Sequence, residues 1–323
     1  MSGLRVLFHT DVLNYRGTTV AISDYARYNQ ELLGNESFIC YESSRPYEKD
    51  MGTEPEVLAK FKQQYPVLGH TGKNINRLVE DNKIDVAYFI RSGDKKFLPT
   101  NCKTAVHAVF QLFQPHGDRY AYVSEWLAHT MNTRYNAKIP SVPHIVNLPA
   151  PDADLRSQLG ISSSQIVIGR HGGYLEFNLS WVYETVKKLL DKHPNYTFLF
   201  LGTRPWINHP RVIFLPANGD TQYKSNFINA CDAMLHARSN GESFGLSIAE
   251  FLSQNKPVIA ANGGNDQNHL AMLAGSGLLY NDAQELESML LNFKDIKQDW
   301  YTRSEEHTSE LQSPMYLVCR LLL

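Results

Sequence analysis

The chain has 323 residues, a length that predicts two domains of about 150 residues each. Hydrophobic residues make up 43% of the chain and charged residues 20%, which is typical of globular proteins and excludes a disordered or fibrous class. The formal net charge is −2. The sequence therefore offers no polybasic surface, and neither nucleic acid nor an anionic membrane is expected as the main partner.

Strand-like runs alternate with amphipathic helical stretches, which predicts parallel sheets with crossover helices. In the first half, strands are predicted at 4–9, 37–41, 85–90, 103–110 and 120–123. Helices are predicted over 20–33, 54–64 and 72–82 and from Glu125 onward, where Ser124 is a suitable N-cap.

The second half repeats this pattern after a proline-rich stretch, 139–151, which breaks both helix and central strand. Strands are predicted at 165–170, 197–202, 212–215, 233–237, 257–261 and 277–280, and helices at 179–193, 222–231, 244–254 and 283–293. We therefore expect two doubly wound, Rossmann-like α/β domains, 1–148 and 149–302. Their ligand sites are expected at the carboxyl ends of the strands, with a cleft between the domains.

Cellular location is predicted from what the sequence lacks. No apolar run approaches the ~18 residues of a membrane-spanning helix, and residues 1–10 lack the basic and apolar regions of a signal peptide. The cysteines form no Cys-x-x-Cys pair, which indicates free thiols in a reducing compartment. We expect a cytoplasmic protein.

The end of the chain differs in character from the rest. The run 303–313, RSEEHTSELQS, resembles the in-frame translation of a DNA-sequencing adapter. On that interpretation, 303–323 is a non-native read-through tail on a truncated chain, and the native sequence continues beyond Thr302. The alternative is a charged terminal helix closed by an apolar segment.

The most informative stretch runs from His236 to Ala261. A predicted strand leads into a glycine-containing loop, and a helix is expected to begin near Phe244. The first-turn amides of a helix have no intrahelical partners, and its dipole favours negative charge there. Glu242 precedes this helix start and Glu250 lies about two turns inside it. Both carboxylates are thus expected to accept hydrogen bonds from one ligand.

The Glu-x7-Glu spacing, set between a strand and Lys-Pro-Val-Ile-Ala, resembles the nucleotide-sugar signature of retaining GT-B glycosyltransferases, especially glycosyltransferase family 4. The resemblance is specific over 166–279 and looser over the N-terminal domain, the expected acceptor side. It implies that Glu250 holds the nucleotide ribose and that Glu242 acts on the donor sugar. It also implies that the sugar and its phosphates bind at the helix start, formed by Ser243, Phe244, Gly245, Leu246 and Ser247.

A cationic site for the leaving diphosphate is expected after the first strand of the second domain. Arg170 can pair with a diphosphate, and Gly172 and Gly173 allow close backbone approach. The family usually adds a lysine a few positions later, but 174–178 contains none. Arg204 and Arg238 are candidate substitutes.

Further donor contacts are implied by position in the resemblance. Gly202 and Leu215 follow strands that border the nucleoside base, and Gly17 lies in the loop that faces the donor diphosphate. His107 is a candidate contact to the donor sugar, or a satisfied core histidine, and His9 is a weaker candidate. Asp152-Ala-Asp154 imitates a metal motif, but Asp154 more simply caps the turn that follows, and no metal site is indicated.

These residues predict a transferase that moves a hexosyl or related sugar from a nucleotide diphosphate-sugar to a hydroxyl acceptor. The acceptor is a glycan, lipid or small molecule, with peripheral membrane contact left open. The resemblance implies retention of configuration, with no metal and no cofactor beyond the donor. An inactive GT-B module that binds nucleotide sugar or glycan is the alternative. A dehydrogenase would need Gly-x-Gly-x-x-Gly after the first strand, where 10–19 contains only Gly17, and an interaction protein would bind no nucleotide.

Overall fold

The computed structural model describes residues 3–45, 51–72, 74–275 and 278–304, with side chains as far as 300. The described chain divides into two compact units, and the boundary lies between Ile145 and Val146. The sequence placed it after residue 148, in the same proline-rich stretch. The adapter-like tail lies outside the described residues from 305 onward, so its origin stays a prediction.

Unit 1 is a six-stranded sheet whose strands are connected by helices. Its strands are β1 (Arg5–Thr10), β2 (Glu36–Glu42), β3 (Val67–His70), β4 (Val86–Arg91), β5 (Lys103–Ala108) and β6 (Arg119–Tyr122). Its helices are α1 (Gly17–Glu31), α2 (Pro55–Gln64), α3 (Ile75–Asp81) and α4 (Glu125–Tyr135). The strand order is β3-β2-β1-β4-β5-β6, and every pair is parallel.

Unit 2 has a second six-stranded parallel sheet, in the order β14-β12-β10-β7-β8-β9, and a two-stranded ribbon of β11 and β13. Its strands are β7 (Ile166–His171), β8 (Tyr196–Leu201), β9 (Val212–Leu215), β10 (Ala233–His236), β11 (Gly241–Glu242), β12 (Val258–Ala261), β13 (Asp266–Gln267) and β14 (Leu279–Tyr280). Its helices are α5 (Leu155–Gln158), α6 (Ser180–Lys192), α7 (Thr221–Ala230), α8 (Leu246–Ser253), α9 (Asn268–Met272), α10 (Ala283–Leu291) and α11 (Phe293–Ser304).

The core of unit 2 covers both faces of its sheet. Every residue of β7 and β8 is buried, as expected for parallel strands between two helical layers. Side chains alternate along β8, so Phe198 and Phe200 pack with residues of α6 and α10, whereas Leu199 and Leu201 pack with residues of α7 and α8. The unit is therefore doubly wound, as the alternation of strands and helices predicted.

Two of the differences between the predicted and the observed elements have a clear physical reason. Strand β3 was missed because its sequence, VLGH, is short and contains a glycine. Helix α8 begins at Leu246 rather than near Phe244, because Gly245 adopts a left-handed φ of +90° that cannot continue a right-handed helix. The predicted caps are confirmed: Ser124 accepts from the Leu127 amide at 3.2 Å, and Asp154 is the N-cap of α5.

None of the helices in the described part of the chain combines the length and the apolar sequence that a bilayer span requires. The cytoplasmic location stays a prediction.

Candidate functional site

The candidate site lies in unit 2 at the carboxyl ends of β7 and β10. These strands are neighbours in the middle of the sheet, and the chain continues from β7 to β8 on one side while β10 lies on the other. The connections that follow them therefore leave toward opposite faces and open a crevice, which is where doubly wound sheets bind ligands. Arg170 and His171 end β7, and His236 ends β10.

Arg170 is held in a fixed orientation at the floor of this site. It is 5% exposed, and its guanidinium donates to Thr203 Oγ1 at 2.5 Å and to the Gly173 carbonyl at 3.1 Å. Burial lowers the pKa of Arg170 to about 10, against the opposing effects of the Glu242 and Glu176 charges. The side chain therefore remains a cation at neutral pH and is already oriented before any ligand arrives.

Glu242 lies beside this arginine and is bound by two further side chains. Arg238 Nη1 is 2.8 Å from one carboxylate oxygen and His236 Nε2 is 3.3 Å from the other. Burial alone would raise the pKa of Glu242, but the His236 hydrogen bond and the charges of Arg238 and Arg170 outweigh it and lower the pKa to about 2. Glu242 is therefore an ionised hydrogen-bond acceptor at neutral pH and cannot donate a proton.

Arg238 is the second cation of the site. Its Nε lies 2.6 Å from Glu176 Oε2, and its Nη1 is the group that binds Glu242. A guanidinium carries five N–H donors in a rigid fork, so two carboxylates fix its orientation while further donors remain. The loop 174–178 thus supplies an acidic partner where the family usually has a lysine.

Glu250, which the resemblance assigns to the nucleotide ribose, is enclosed by other side chains. Its two oxygens lie 2.6 Å from Lys224 Nζ and 3.1 Å from His171 Nε2, and the carboxylate side chain is 4% exposed. Burial opposes ionisation, but the Lys224 charge and the contact with His171 outweigh it and lower the pKa of Glu250 to about 2. One carboxylate oxygen accepts a hydrogen bond from Lys224, whereas Oε2 is buried near His171 without a hydrogen bond in the described part of the chain. A direct ribose contact would require Oε2 to be uncovered.

The start of α8 provides backbone donors at the same edge. Gly245 is its N-cap, and the amide of Ala249 is the first of the helix to reach back to the Gly245 carbonyl, at 3.0 Å. The amides of Leu246 and Ser247 precede it in the first turn, where helices attract anions. Phe244 lies outside the helix, and its carbonyl accepts from Asn268 at 2.6 Å. The predicted anion site is thus formed by fewer helical amides than the sequence indicated.

The glycines predicted to border the donor lie together. Gly172 and Gly202 both have positive φ, at +145° and +68°, and a Cβ on Gly202 would lie 3.5 Å from the Gly172 carbonyl. The Gly202 amide donates to Leu215 at 3.0 Å, so the ends of β7, β8 and β9 converge here. Gly173 accepts from Arg170, as described above. The Arg204 side chain is exposed, and its amide bonds to Tyr174.

Two of the predicted residues in unit 1, Gly17 and His107, lie in different settings. Gly17 is the first residue of α1 and is exposed. His107 is fully buried, and its ring nitrogens contact Tyr88 Oη at 2.5 Å and the Val142 carbonyl at 2.8 Å. Burial lowers its pKa to about 4. His107 therefore has no ring nitrogen left for a donor sugar, and the geometry supports the core alternative.

Sequence reasoning missed three side chains that organise the site: Lys224, His171 and His236. Lys224 is separated from Glu250 by 26 positions, and nothing in the local pattern of α7 distinguishes an inward lysine from an exposed one. His171 and His236 did have a signal, because each lies within one residue of the end of a strand that the pattern predicted at the ligand edge.

No protein-family model matches the chain, and no curated protein sequence matches it significantly. Solved structures do match over nearly the whole chain. Anabaena Alr3699/HepE in complex with UDP-glucose superposes with a TM-score of 0.71 and 14% identity, covering 99% of this chain and 98% of that one.

Two further structures show the same fold. A glycosyltransferase from Rickettsia africae matches with a TM-score of 0.65 and 14% identity, over 99% of this chain and 94% of that one. A UDP-N-acetylglucosamine 2-epimerase, described as putative, from Listeria monocytogenes matches with a TM-score of 0.63 and 11% identity, over 100% and 95%. The GT-B fold class is therefore confirmed, whereas membership of family 4 stays a prediction.

Proposed function

We propose that the chain is a glycosyltransferase that uses a nucleotide diphosphate-sugar as donor and a hydroxyl group as acceptor. The observation that carries this proposal is the pair of preoriented guanidinium groups, Arg170 and Arg238, beside the start of α8 at the switch point of a GT-B sheet. That edge is where ligands bind in this class of fold. The UDP-glucose complex of HepE, a protein of the same fold, supports the choice of donor class.

The proposed chemistry is electrostatic. When the bond between the sugar and the diphosphate breaks, negative charge develops on the leaving diphosphate. Arg170, Arg238 and the first-turn amides of α8 stabilise that charge more strongly than the charge of the intact donor. These cations make a metal unnecessary in the proposed mechanism. Retention of configuration is part of the proposal and rests on the resemblance alone.

The two glutamates have different roles in this proposal. Glu242 is ionised and its side chain is 16% exposed, so it accepts hydrogen bonds from the donor sugar and holds Arg238 in place. Glu250 is buried: one oxygen accepts a hydrogen bond from Lys224, and the other lies 3.1 Å from His171 without a hydrogen bond to any described residue. We therefore assign Glu250 a positioning role. A ribose contact would require this second oxygen to be uncovered.

A module that binds nucleotide sugar without transferring it remains the second candidate. It is favoured by one observation, the acidic Glu176 at the loop where the family usually carries a lysine. Because one fold hosts several activities, the two candidates are separated by turnover rather than by binding.

The test is a thermal-shift panel of UDP-, GDP- and ADP-sugars, followed by a radiolabel assay for transfer or slow hydrolysis of the donor that binds. A donor at 100-fold its dissociation constant is expected to stabilise the protein by about 2.7 kcal/mol. Arg238→Gln is expected to lose most of this shift. The matched control is Lys187→Gln, which removes an exposed cation of α6 that pairs with Glu184 and is expected to keep it.

The outcomes separate the candidates. Binding with transfer or hydrolysis supports the transferase, and binding with no consumption of any donor supports the inactive module. If no nucleotide sugar shifts the unfolding temperature, or if Arg238→Gln and Lys187→Gln behave alike, the proposed site is wrong. Transfer that is abolished by EDTA would contradict the metal-free mechanism.

A further inference from the structure

Arg91 ends β4 in unit 1 and is a buried cation whose guanidinium is incompletely bonded. It is 5% exposed, and neither its Nε nor its Nη1 has a hydrogen-bond partner among the described residues. A buried charge without a bonded partner is costly, because the protein replaces none of the water it has lost. The guanidinium lies over the Phe89 ring, whose centroid is 4.5 Å from Cζ.

The nearby acidic residues contact other side chains and form no ion pair with the Arg91 guanidinium among the described residues. Asp11 is bound instead by Lys96 at 2.9 Å and by Arg45 at 3.9 Å. Asp94 accepts from Ser92, and its other oxygen lies 3.8 Å from Lys96. Arg91 therefore forms no ion pair within 4.0 Å in the described part of the chain, although the charges of Asp11, Asp94 and Glu42 act on it from further away.

A second unpaired donor lies against the same phenylalanine. His9 is 1% exposed, and its ring centroid is 4.7 Å from that of Phe89. Register explains the proximity: His9 pairs with Phe89 across β1 and β4, and Arg91 lies two residues farther along β4, so all three side chains share one face of the sheet.

The hydrogen bonds fix which ring nitrogen of His9 carries the proton. The Gly72 amide donates to His70 Nδ1 at 2.9 Å, so His70 carries its proton on Nε2. That Nε2 lies 2.7 Å from His9 Nε2 and donates to it. His9 must then carry its own proton on Nδ1, which is buried and has no partner among the described residues. Arg91 and His9 thus present only donors at this edge.

This arrangement suits an anion better than a cation. His9, Cys40 and His70 bring possible metal-ligand atoms within 4.8 Å of one another. However, the Gly72 amide occupies His70 Nδ1, so metal binding at Nε2 would leave that ring without a proton. Burial also raises the pKa of the Cys40 thiol to about 12, whereas metals bind the thiolate. The positive charges of Arg91 and Lys96 act on His9 as well.

We propose that unit 1 binds an oxyanion, a phosphate or carboxylate group, at the carboxyl ends of β1 and β4 through Arg91 and His9. These strands are the middle neighbours of the sheet, where its order reverses, so the site occupies the ligand-binding edge of this unit. A planar guanidinium and an imidazole N–H match the acceptor-only oxygens of such groups. Binding supplies the partners that these donors lack.

Combined with the proposed glycosyl transfer, this site predicts an acceptor molecule that carries a phosphate or carboxylate group. That assignment rests on the proposed glycosyl transfer, whereas oxyanion binding by unit 1 does not. The donor panel tests glycosyl transfer, and the anion titrations test oxyanion binding by unit 1. Either claim can therefore fail without the other.

The experiment compares inorganic phosphate with acetate, titrated at constant ionic strength with NaCl and followed by calorimetry and thermal unfolding. The variants are Arg91→Met, which keeps the length of the side chain but removes its charge, and Arg5→Met as a matched control, since Arg5 also belongs to unit 1 but is paired with Glu36 at 3.0 Å. Arg170→Met is included because phosphate can also bind the cations of unit 2. Anion binding by unit 1 must persist in this variant.

Wild-type protein, Arg5→Met and Arg170→Met are expected to bind phosphate, acetate or both. Arg91→Met is expected to lose at least tenfold in affinity while its ligand-free unfolding temperature rises, because an unpaired buried charge has been removed. The anion that binds with higher affinity identifies the group on the natural ligand as a phosphate or a carboxylate. Three results would overturn the proposal: no binding of either anion beyond the NaCl control, unchanged binding in Arg91→Met, or a lower ligand-free unfolding temperature for Arg91→Met. A buried water satisfying these donors would give the first result.

Discussion

Lys224 and Glu250 join α7 to α8 through an ion pair of 2.6 Å in the interior of unit 2, where the two side chains are 9% and 4% exposed. His171 completes the arrangement from the end of β7, at 3.1 Å from the second carboxylate oxygen. Three elements that surround the candidate donor site are thus tied together by one carboxylate. Its loss is expected to affect both stability and ligand binding.

Removing one partner of this ion pair is expected to destabilise the protein. Lys224→Met leaves the Glu250 carboxylate buried with His171 alone and should lower the free energy of unfolding by about 3–5 kcal/mol. The double variant Lys224→Met, Glu250→Gln should recover part of that loss, because no uncompensated charge remains. Urea unfolding measures both.

The control for this cycle is the exposed pair of Lys192 and Glu287, at 3.8 Å. Lys192→Met should change the free energy of unfolding by about 1 kcal/mol or less. Equal losses for Lys192→Met and Lys224→Met would show that the buried ion pair contributes no more than an exposed one.

Stability is expected to fall in acid, and Glu250 contributes to that fall. Its pKa is lowered from 4.5 to about 2 in the folded protein, so the folded state holds the ionised form more tightly than the unfolded chain does. The corresponding stability is fully present above about pH 5 and is lost as the pH falls toward 2. From the size of the shift, Glu250 contributes about 3 kcal/mol.

The measurement is the free energy of unfolding of wild type and Glu250→Gln between pH 2 and 7. The variant should show a shallower dependence on pH than wild type below about pH 5. Parallel curves for the two proteins would contradict the lowered pKa of Glu250.

Gly245 is expected to be needed for both stability and donor binding. Its φ of +90° favours glycine, and an added Cβ would lie 3.3 Å from the Cβ of Glu242. Gly245→Ala should therefore cost about 1–3 kcal/mol of backbone strain and also displace Glu242. Gly160→Ala is the matched control, since Gly160 has a φ of +67° and no atom within 4 Å of the added Cβ.

Both variants should lower the unfolding temperature, but only Gly245→Ala should also weaken binding of the donor identified in the panel. Equal donor affinity in the two variants would show that the start of α8 is not part of the donor site.

His107 is expected to act in folding rather than in catalysis. His107→Leu keeps the approximate volume but removes the ring nitrogens that contact Tyr88 Oη and the Val142 carbonyl. The free energy of unfolding should fall by about 1–3 kcal/mol, while turnover per folded molecule stays unchanged. A fall in turnover of tenfold or more at unchanged stability would restore the catalytic interpretation.

The sequence predicted the fold because both halves repeat buried strands and amphipathic helices with a clear period. It also placed Arg170, Glu242 and Gly245 at one edge, since the carboxyl ends of parallel strands meet there. It did not predict that Glu250 is enclosed, because Lys224 and His171 come from other elements and leave no local pattern.

Arg91 shows the same limit in unit 1. At the end of a predicted strand it is an ordinary turn arginine, and only the structure shows that Asp11 and Asp94 bind other groups. Side-chain pairing between elements therefore decides which strand-end residues are available to a ligand.

A structure of the protein with a bound UDP-sugar tests the central claim most directly. The diphosphate is expected to lie within hydrogen-bond distance of Arg170, Arg238 and the Leu246 amide, with Glu242 facing the sugar. A diphosphate bound elsewhere, with Arg170 and Arg238 still making only their present contacts, would contradict it.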